Sequence, residues 1–139
     1  MKESKKKQGF QQVIHLLQSL DKEETEKILE ILKKRSPRLQ GQLEEELLFF
    51  EDFLHFSVPM LAPLFLDPLA TEDWGIALRG ASLTLREHIL GSLTTSLRTE
   101  VESILHGRPC PLDKVLAAQK KILVHTQHLL LLGKIPFGP

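Results

Sequence analysis

The stretch Ala77-Leu-Arg-Gly-Ala-Ser-Leu-Thr-Leu-Arg-Glu-His-Ile-Leu90 contains the end of one helix and the start of the next. Gly80 is the residue type that most often ends a helix, because glycine adopts the left-handed conformation at little cost. Two residues later comes Ser82, a preferred N-cap residue, and Leu85 and Ile89 follow at the spacing of one helix face. The sequence therefore predicts two helices joined by a very short turn.

Similar helix signals continue towards the N-terminus. Asp21 and Glu24 have the spacing of a capping box, and Ser36-Pro37 is a cap followed by a first-turn proline. The apolar residues before Asp21 have the spacing of one helix face, and those after it mark the buried side of a second helix: Phe10, Val13, Ile14, Leu17 and Leu20, then Ile28, Leu29, Ile31 and Leu32. Three short helices in tandem predict one helical layer.

The remainder of the chain has the same character, and the aromatic-rich run 47–56 is predicted to be buried between two layers. Further helices are predicted from Ser57 to Asp67, from Thr71 to Gly80, up to Gly107, and from Leu112 to Leu132 with Val115, Ala118, Ile122 and Leu129 on one face. We predict an all-α, two-layer helical bundle. Its expected parts are a disordered basic tail at 1–8, a first helical layer at 9–47, a multi-helix subdomain at 48–133 and a flexible tail at 134–139.

Composition excludes several classes of partner. The 139 residues include 18 Lys plus Arg and 18 Asp plus Glu, so the net charge is zero and no overall field attracts nucleic acid or an anionic membrane. The longest purely aliphatic run, Leu129–Leu132, is far shorter than the about 20 residues of a membrane span, and no signal-peptide core follows the N-terminal lysines. We expect a soluble cytoplasmic protein with no nucleic-acid partner and no membrane insertion.

Signatures of catalysis are absent from the sequence. The single cysteine, Cys110, excludes an internal disulfide, and an inert loop position is favoured over a reactive thiol. His125 and His128 share a helix face and could ligate a metal, but no carboxylate or cysteine lies within a turn of them. There is no phosphate loop, nucleophile elbow or metalloprotease motif. The sequence predicts no enzyme, no cofactor and no metal site.

Residues 77–90 resemble the C-terminal domain of the flagellar motor switch protein FliG, whose turn and following helix read A-L-K-G-A-x-x-x-L-R-E-K-I/F. Residues 18–30 are similar to the family stretch L-D-R-S-T-E-x-x-I-L-E, and 117–122 to its V-x-x-A-Q-x-x-I helix. The resemblance implies an armadillo-like layer at 9–47 and a hinge where the family has M-F-x-F-E-D, here Leu47, Leu48, Phe49 and Phe50. The family's N-terminal domain and its middle domain, with the E-H-P-Q motif for FliM, have no counterpart in the chain.

The resemblance also implies a surface that faces the stator protein MotA. Aligned without gaps from Gly80, the family's torque-bearing arginine and two acidic residues fall on Ser96, Ser103 and Ile104. The charged residues nearby are the candidates for a stator contact: Arg79, Arg86, Glu87, Arg98, Glu100 and Glu102. Because the three matched positions carry no charge, we do not expect this helix to generate torque as it does in the family.

The resulting hypothesis is a FliG C-terminal-like component or accessory of the motor switch, at the flagellar basal body on the inner face of the cell membrane. Its expected partners are full-length FliG or FliM-like switch proteins, with MotA and a second copy of the chain as further candidates. Since an end unit of an armadillo-like stack leaves an apolar face uncovered, Phe10, Val13 and Leu17 are the predicted contact residues. The alternative is a helical adaptor that uses the same fold in a non-flagellar assembly.

Overall fold

The computed structural model describes residues 2–66 and 70–136, and all regular secondary structure in these ranges is helical. The α-helices are α1 (Lys2–Ser19), α2 (Lys22–Arg35), α3 (Pro37–Glu46), α4 (Val58–Leu61), α5 (Ala70–Ala77), α6 (Leu83–Gly91), α7 (Thr95–Leu105) and α8 (Leu112–Leu131). Three 3-10 turns lie at Phe50–His55, Ala62–Phe65 and Leu78–Gly80. The predicted all-α class is confirmed.

The chain divides into two compact units, Met1–Leu48 and Phe49–Pro139. The division lies one residue beyond the boundary that we placed between residues 47 and 48. The first unit contains α1 to α3, and the second contains α4 to α8 with the 3-10 turns.

The core of the first unit is aliphatic and draws on all three of its helices. Its buried residues are Ile14, Leu17, Leu29, Leu43 and Leu47, against which Phe10, Leu20, Ile28 and Leu32 pack. Two polar contacts close this core. The buried Thr25 hydroxyl donates to the Leu17 carbonyl at 2.9 Å, and the Gln18 amide donates to the Leu48 carbonyl at 3.0 Å while accepting from the Leu48 N–H. The hydrogen bonds of Gln18 attach the end of the unit to its first helix.

Two expectations for the first unit were wrong. Asp21 is the N-cap of α2, but its side chain makes no capping hydrogen bond. Ile31, expected on the buried side of α2, is 56% exposed, because it lies one position from the buried stripe of that helix. Helix α1 begins at Lys2, and its segment 2–8, where we expected a disordered tail, contains no glycine or proline. Val13 of α1 is 42% exposed, on the apolar face that we expected to be uncovered.

The second unit is built around Trp74 of α5, which is 1% exposed. Phe50, Phe53 and Phe65 surround its ring with centroids 5.1 to 5.7 Å away, and the Phe65 ring stacks on it. Helix α5 packs against both α7 and α8. At Gly75 a Cβ atom would lie 2.5 Å from Cβ of Ile104, so the backbones of α5 and α7 approach as closely as glycine allows.

The turn within residues 77–90 forms as predicted at Ser82, whose hydroxyl accepts a hydrogen bond from the Leu85 N–H at 3.1 Å. The left-handed stop at Gly80 was wrong, because Gly80 has no positive φ and ends the 3-10 turn that continues α5. Glycine is needed here for packing. A Cβ at Gly80 would lie 2.8 Å from Nε2 of Gln119 and 3.0 Å from Cγ1 of Val115, both on α8.

The helix predicted from Ser57 to Asp67 is divided in the structure. Helix α4 ends at Leu61 and the 3-10 turn Ala62–Phe65 follows, with Pro63 removing a backbone donor inside the segment. The predicted helix end at Asp67 lies outside the described residues.

Helix α8 ends in a Schellman motif. Gly133 has φ 69°, its N–H donates to the Leu130 carbonyl, and the Lys134 N–H donates to the Leu129 carbonyl. This reversal is followed by Ile135, which is 2% exposed. Ile135 is thus buried within the segment 134–139 that we expected to be a flexible tail, and residues 137–139 lie outside the described part of the chain.

Candidate functional site

Arg86, the arginine of the L-R-E sequence in the motif, binds backbone. Its Nε donates to the Leu78 carbonyl at 2.7 Å, and its Nη2 donates to the Arg79 carbonyl at 2.8 Å. These carbonyls lie in the 3-10 turn at the end of the preceding helix, where the last carbonyl groups have no N–H donor within the helix. Arg86 therefore caps this turn from α6, and a stator contact by its guanidinium stays a prediction.

Arg79 holds the connection between α7 and α8. Its Nη1 donates to the Arg108 carbonyl at 2.7 Å and to Sγ of Cys110 at 3.4 Å, and its Nη2 donates to the Ile104 carbonyl at 2.7 Å. Its Nε is buried and makes no hydrogen bond. Like Arg86, it has a structural role within the second unit, and a stator contact by Arg79 stays a prediction.

The other candidate charges lie at the surface. Glu87 on α6 and Arg98 and Glu100 on α7 are exposed, and Glu102 is half-buried. Arg98 Nε and Glu102 Oε1 form an i, i+4 ion pair at 3.0 Å, with side chains 52% and 40% exposed. The two opposite charges largely compensate each other. Because the pair is solvated, it contributes little to the stability of the fold.

The matched torque positions form only part of one face. Ser96, Glu100 and Ser103 follow one another at i, i+4 and i+7, and all three are exposed on α7. Ile104 is half-buried and lies against Gly75 of α5. The outward stripe of α7 thus carries two hydroxyls and one carboxylate.

The four residues of the predicted hinge do not share one environment. Leu47 is buried in the first unit, and both backbone groups of Leu48 are bound by Gln18. Phe49 begins the second unit, half exposed, with its N–H bound to Oδ2 of Asp52 at 2.8 Å. Phe50 is buried beside Trp74, and hinge motion remains a prediction.

The three residues of the predicted partner-binding face on α1 differ in exposure, and partner binding there stays a prediction. Leu17 is 3% exposed and belongs to the core, and Phe10 packs against that core. Val13 and Leu16 are the exposed apolar residues of this helix, at 42% and 59%. The sequence pattern missed Leu16, because the predicted stripe was centred on the core-facing side of the helix.

A cleft beside the motif was also missed. It has a volume of about 530 Å³ and is lined by residues of α5, the Leu78–Gly80 turn, the end of α7 and the start of α8. Arg79, Arg108 and Lys114 line it together with Ile76, Ile104 and Glu72. Because these residues are distant in sequence, no local spacing could reveal the cleft.

Within 2–66 and 70–136, no three His, Cys, Asp or Glu side chains are grouped closely enough to hold a metal ion. Over the same ranges, no helix has the length and apolar character needed to cross a membrane.

Comparisons with known proteins agree with one another. The sequence model of the FliG C-terminal domain matches residues 30–137. The flagellar motor switch protein FliG of Thermotoga maritima is 28% identical over 131 residues, covering 91% of this chain and 38% of the relative. A crystal structure of a FliG fragment from H. pylori is similar with a TM-score of 0.64 at 20% identity, covering 92% of this chain and 60% of that one.

A shorter H. pylori FliG fragment is similar with a TM-score of 0.59 at 20% identity, covering 93% of this chain and 57% of that chain. At this identity the two structures establish a shared fold. The chain spans less than two fifths of the length of its curated relative.

Proposed function

The chain belongs to the FliG C-terminal domain family, and on this premise we propose that it is a component or accessory of the bacterial flagellar motor switch. The family match over residues 30–137 is the observation that carries the proposal, since it includes parts of both units. We place the chain on the cytoplasmic side of the flagellar basal body. It acts there through protein contacts, with no catalytic step.

The proposed role excludes torque generation of the FliG type. The helix that would face MotA carries Ser96 and Ser103 at two of the three matched positions, and Ile104 at the third is half-buried. Charged pairs across an interface mainly set encounter rate and register, and they depend strongly on placement. Glu100 is the one charge among Ser96, Glu100 and Ser103, and the other charges of α7, Arg98 and Glu102, pair with each other, so a partner that recognises the family's charge placement lacks its contacts here.

The proposed partner surface lies on the first unit. Val13 and Leu16 are exposed on α1, and Ile31 is exposed on α2. Exposed apolar side chains in an armadillo-like end unit are usually covered by a neighbouring unit. The partner that we propose is full-length FliG or a FliM-like switch protein, with a second copy of this chain as an alternative outcome of the test.

A pair of matched double variants tests this function in a flagellated bacterium. A fluorescent fusion of the full chain should form foci at basal bodies and co-purify with FliG. Val13→Gln with Leu16→Gln should abolish both signals, because it removes the apolar contact, while the helix content is unchanged. Leu112→Gln with Leu116→Gln on α8, which changes two leucines that are 66% and 52% exposed, should leave both signals intact.

The outcomes test the flagellar assignment and the contact surface on α1 separately. If the unmodified fusion forms no foci and co-purifies with no switch protein, the flagellar assignment is wrong and the non-flagellar adaptor is favoured. If foci form and persist in the α1 double variant, the contact surface lies elsewhere on the chain.

A further inference from the structure

The cleft beside the motif has a charged rim, which is not part of the partner surface proposed on the first unit. Arg108 and Lys114 line it and are both exposed, while Arg79 lines it with a guanidinium already bound to backbone carbonyls. Neither Arg108 nor Lys114 takes part in an ion pair identified among the described residues. Glu72 is the one carboxylate in the lining, so the rim has an excess of positive charge.

The walls of the cleft are partly apolar, so a ligand that fills it needs an apolar group as well as negative charge. Ile76 from α5 and Ile104 from α7 are half-buried and line the same space. A volume of about 530 Å³ lies within the range of sites that take several side chains or a drug-sized ligand. A small inorganic anion would use the charges alone and would leave both isoleucine side chains in water.

We propose that this cleft binds an acidic peptide segment of a partner protein, in which carboxylates alternate with apolar side chains. The carboxylates lie at Arg108 and Lys114, and an apolar side chain covers Ile76 and Ile104. Arg79 is a positioning residue, since its hydrogen bonds to the Arg108 and Ile104 carbonyls hold the α7–α8 connection that shapes the cleft. Complementary charge at such a rim sets specificity and association rate.

The site is distinct from the stripe formed by Ser96, Glu100 and Ser103, because it is concave and takes its charges from the α7–α8 connection and the start of α8. It does not rest on the flagellar assignment, since the purified chain and a synthetic peptide suffice to test it. The two proposals can therefore fail separately.

The chain contains its own reporter of occupancy. Cys110 is the single cysteine, it is partly buried and it lines the cleft. We would measure the rate of alkylation of Cys110 by N-ethylmaleimide with and without a peptide of alternating glutamate and leucine. The peptide should slow alkylation severalfold, whereas a peptide with glutamine in place of glutamate should not.

Charge variants test the assignment of the rim, with affinity measured by fluorescence anisotropy of the labelled peptide. Arg108→Glu with Lys114→Glu should weaken binding at least about tenfold, since each reversal of a rim charge changes affinity severalfold. Lys134→Glu, an exposed lysine outside the cleft lining, should have little effect. Glu72→Gln should tighten binding about twofold to fivefold, because it removes the opposing charge.

Three results would overturn the proposal. The first is equal protection of Cys110 by the glutamine peptide or by inorganic phosphate. The second is a loss of affinity in Lys134→Glu as large as in the double variant. The third is weaker binding by Glu72→Gln. Should circular dichroism show that the double variant is unfolded, the Glu72→Gln variant and the two peptides decide the question.

Discussion

At the scale of single residues, the two arginines of the motif stabilise the second unit by donating hydrogen bonds to backbone carbonyls near its turn. A guanidinium has five N–H donors in a fixed arrangement and can satisfy several carbonyls at once. Arg86 binds two carbonyls in the Leu78–Gly80 turn, and Arg79 binds two in and after α7. Lysine has no such planar fork, so the two bonds to the backbone account for the arginine at position 86, whereas Arg79 stands where the family motif has lysine.

Substituting Arg86 measures this role. Arg86→Met should lower the free energy of unfolding by about 1–3 kcal/mol, because two partly buried carbonyls lose their donors. Arg98→Met is the matched control: its ion pair with Glu102 is solvated, so the change should be within about 1 kcal/mol. Urea denaturation followed by circular dichroism gives both values. Equal destabilisation by the two substitutions would contradict the structural role of Arg86.

At the scale of helices, the second unit depends on close approach of α5 to its neighbours. Gly75 faces the side chain of Ile104 and the carbonyl of Val101, and Gly80 faces Gln119 and Val115 of α8. Interiors are close-packed, so a methyl group added at such a contact forces a shift of backbone or side chains. The two glycines therefore allow the close contacts of α5 and the following turn with α7 and α8.

An alanine pair tests this packing. Gly75→Ala should destabilise the chain by about 1–3 kcal/mol, since its Cβ would lie 2.5 Å from Cβ of Ile104. Gly91→Ala at the end of α6 meets no atom within 4 Å, and alanine's higher helix propensity should make it neutral or stabilising by up to about 1 kcal/mol. Thermal unfolding followed by circular dichroism compares the two. A Gly75→Ala variant as stable as Gly91→Ala would show that α5 and α7 are further apart.

Local signals in the sequence predicted part of the local structure, although the capping box at Asp21 and the left-handed stop at Gly80 were wrong. The cap at Ser82 and the buried position of Ile122 on α8 follow from spacing alone, because caps and amphipathic faces depend on residues within a turn or two. The packing role of Gly80, the burial of Ile135 and the cleft around Arg79 depend on residues far apart in sequence. Such contacts leave no periodic signal, so only the folded chain reveals them.

At the scale of the whole molecule, we propose from the family and from the charge pattern of α7 that the chain assembles in the motor switch but does not generate torque. Membership of the FliG C-terminal domain family supports a place in the motor switch. The outward stripe Ser96, Glu100 and Ser103 lacks the arginine and the acidic residues of the matched positions. The central claim is therefore that the chain assembles through protein contacts without driving rotation.

Replacing the corresponding region of a working FliG with residues 10–136 tests this claim most directly; the segment includes Ile135, which the fold buries. Tethered-cell rotation and electron microscopy of flagella are the measurements. The account predicts assembled flagella that do not rotate, with partial rotation restored by Ser96→Arg together with Ser103→Asp, two exposed positions that leave the packing of Ile104 on Gly75 intact. Normal rotation of the unmodified graft would contradict the account, because it would make this chain a torque-bearing rotor domain.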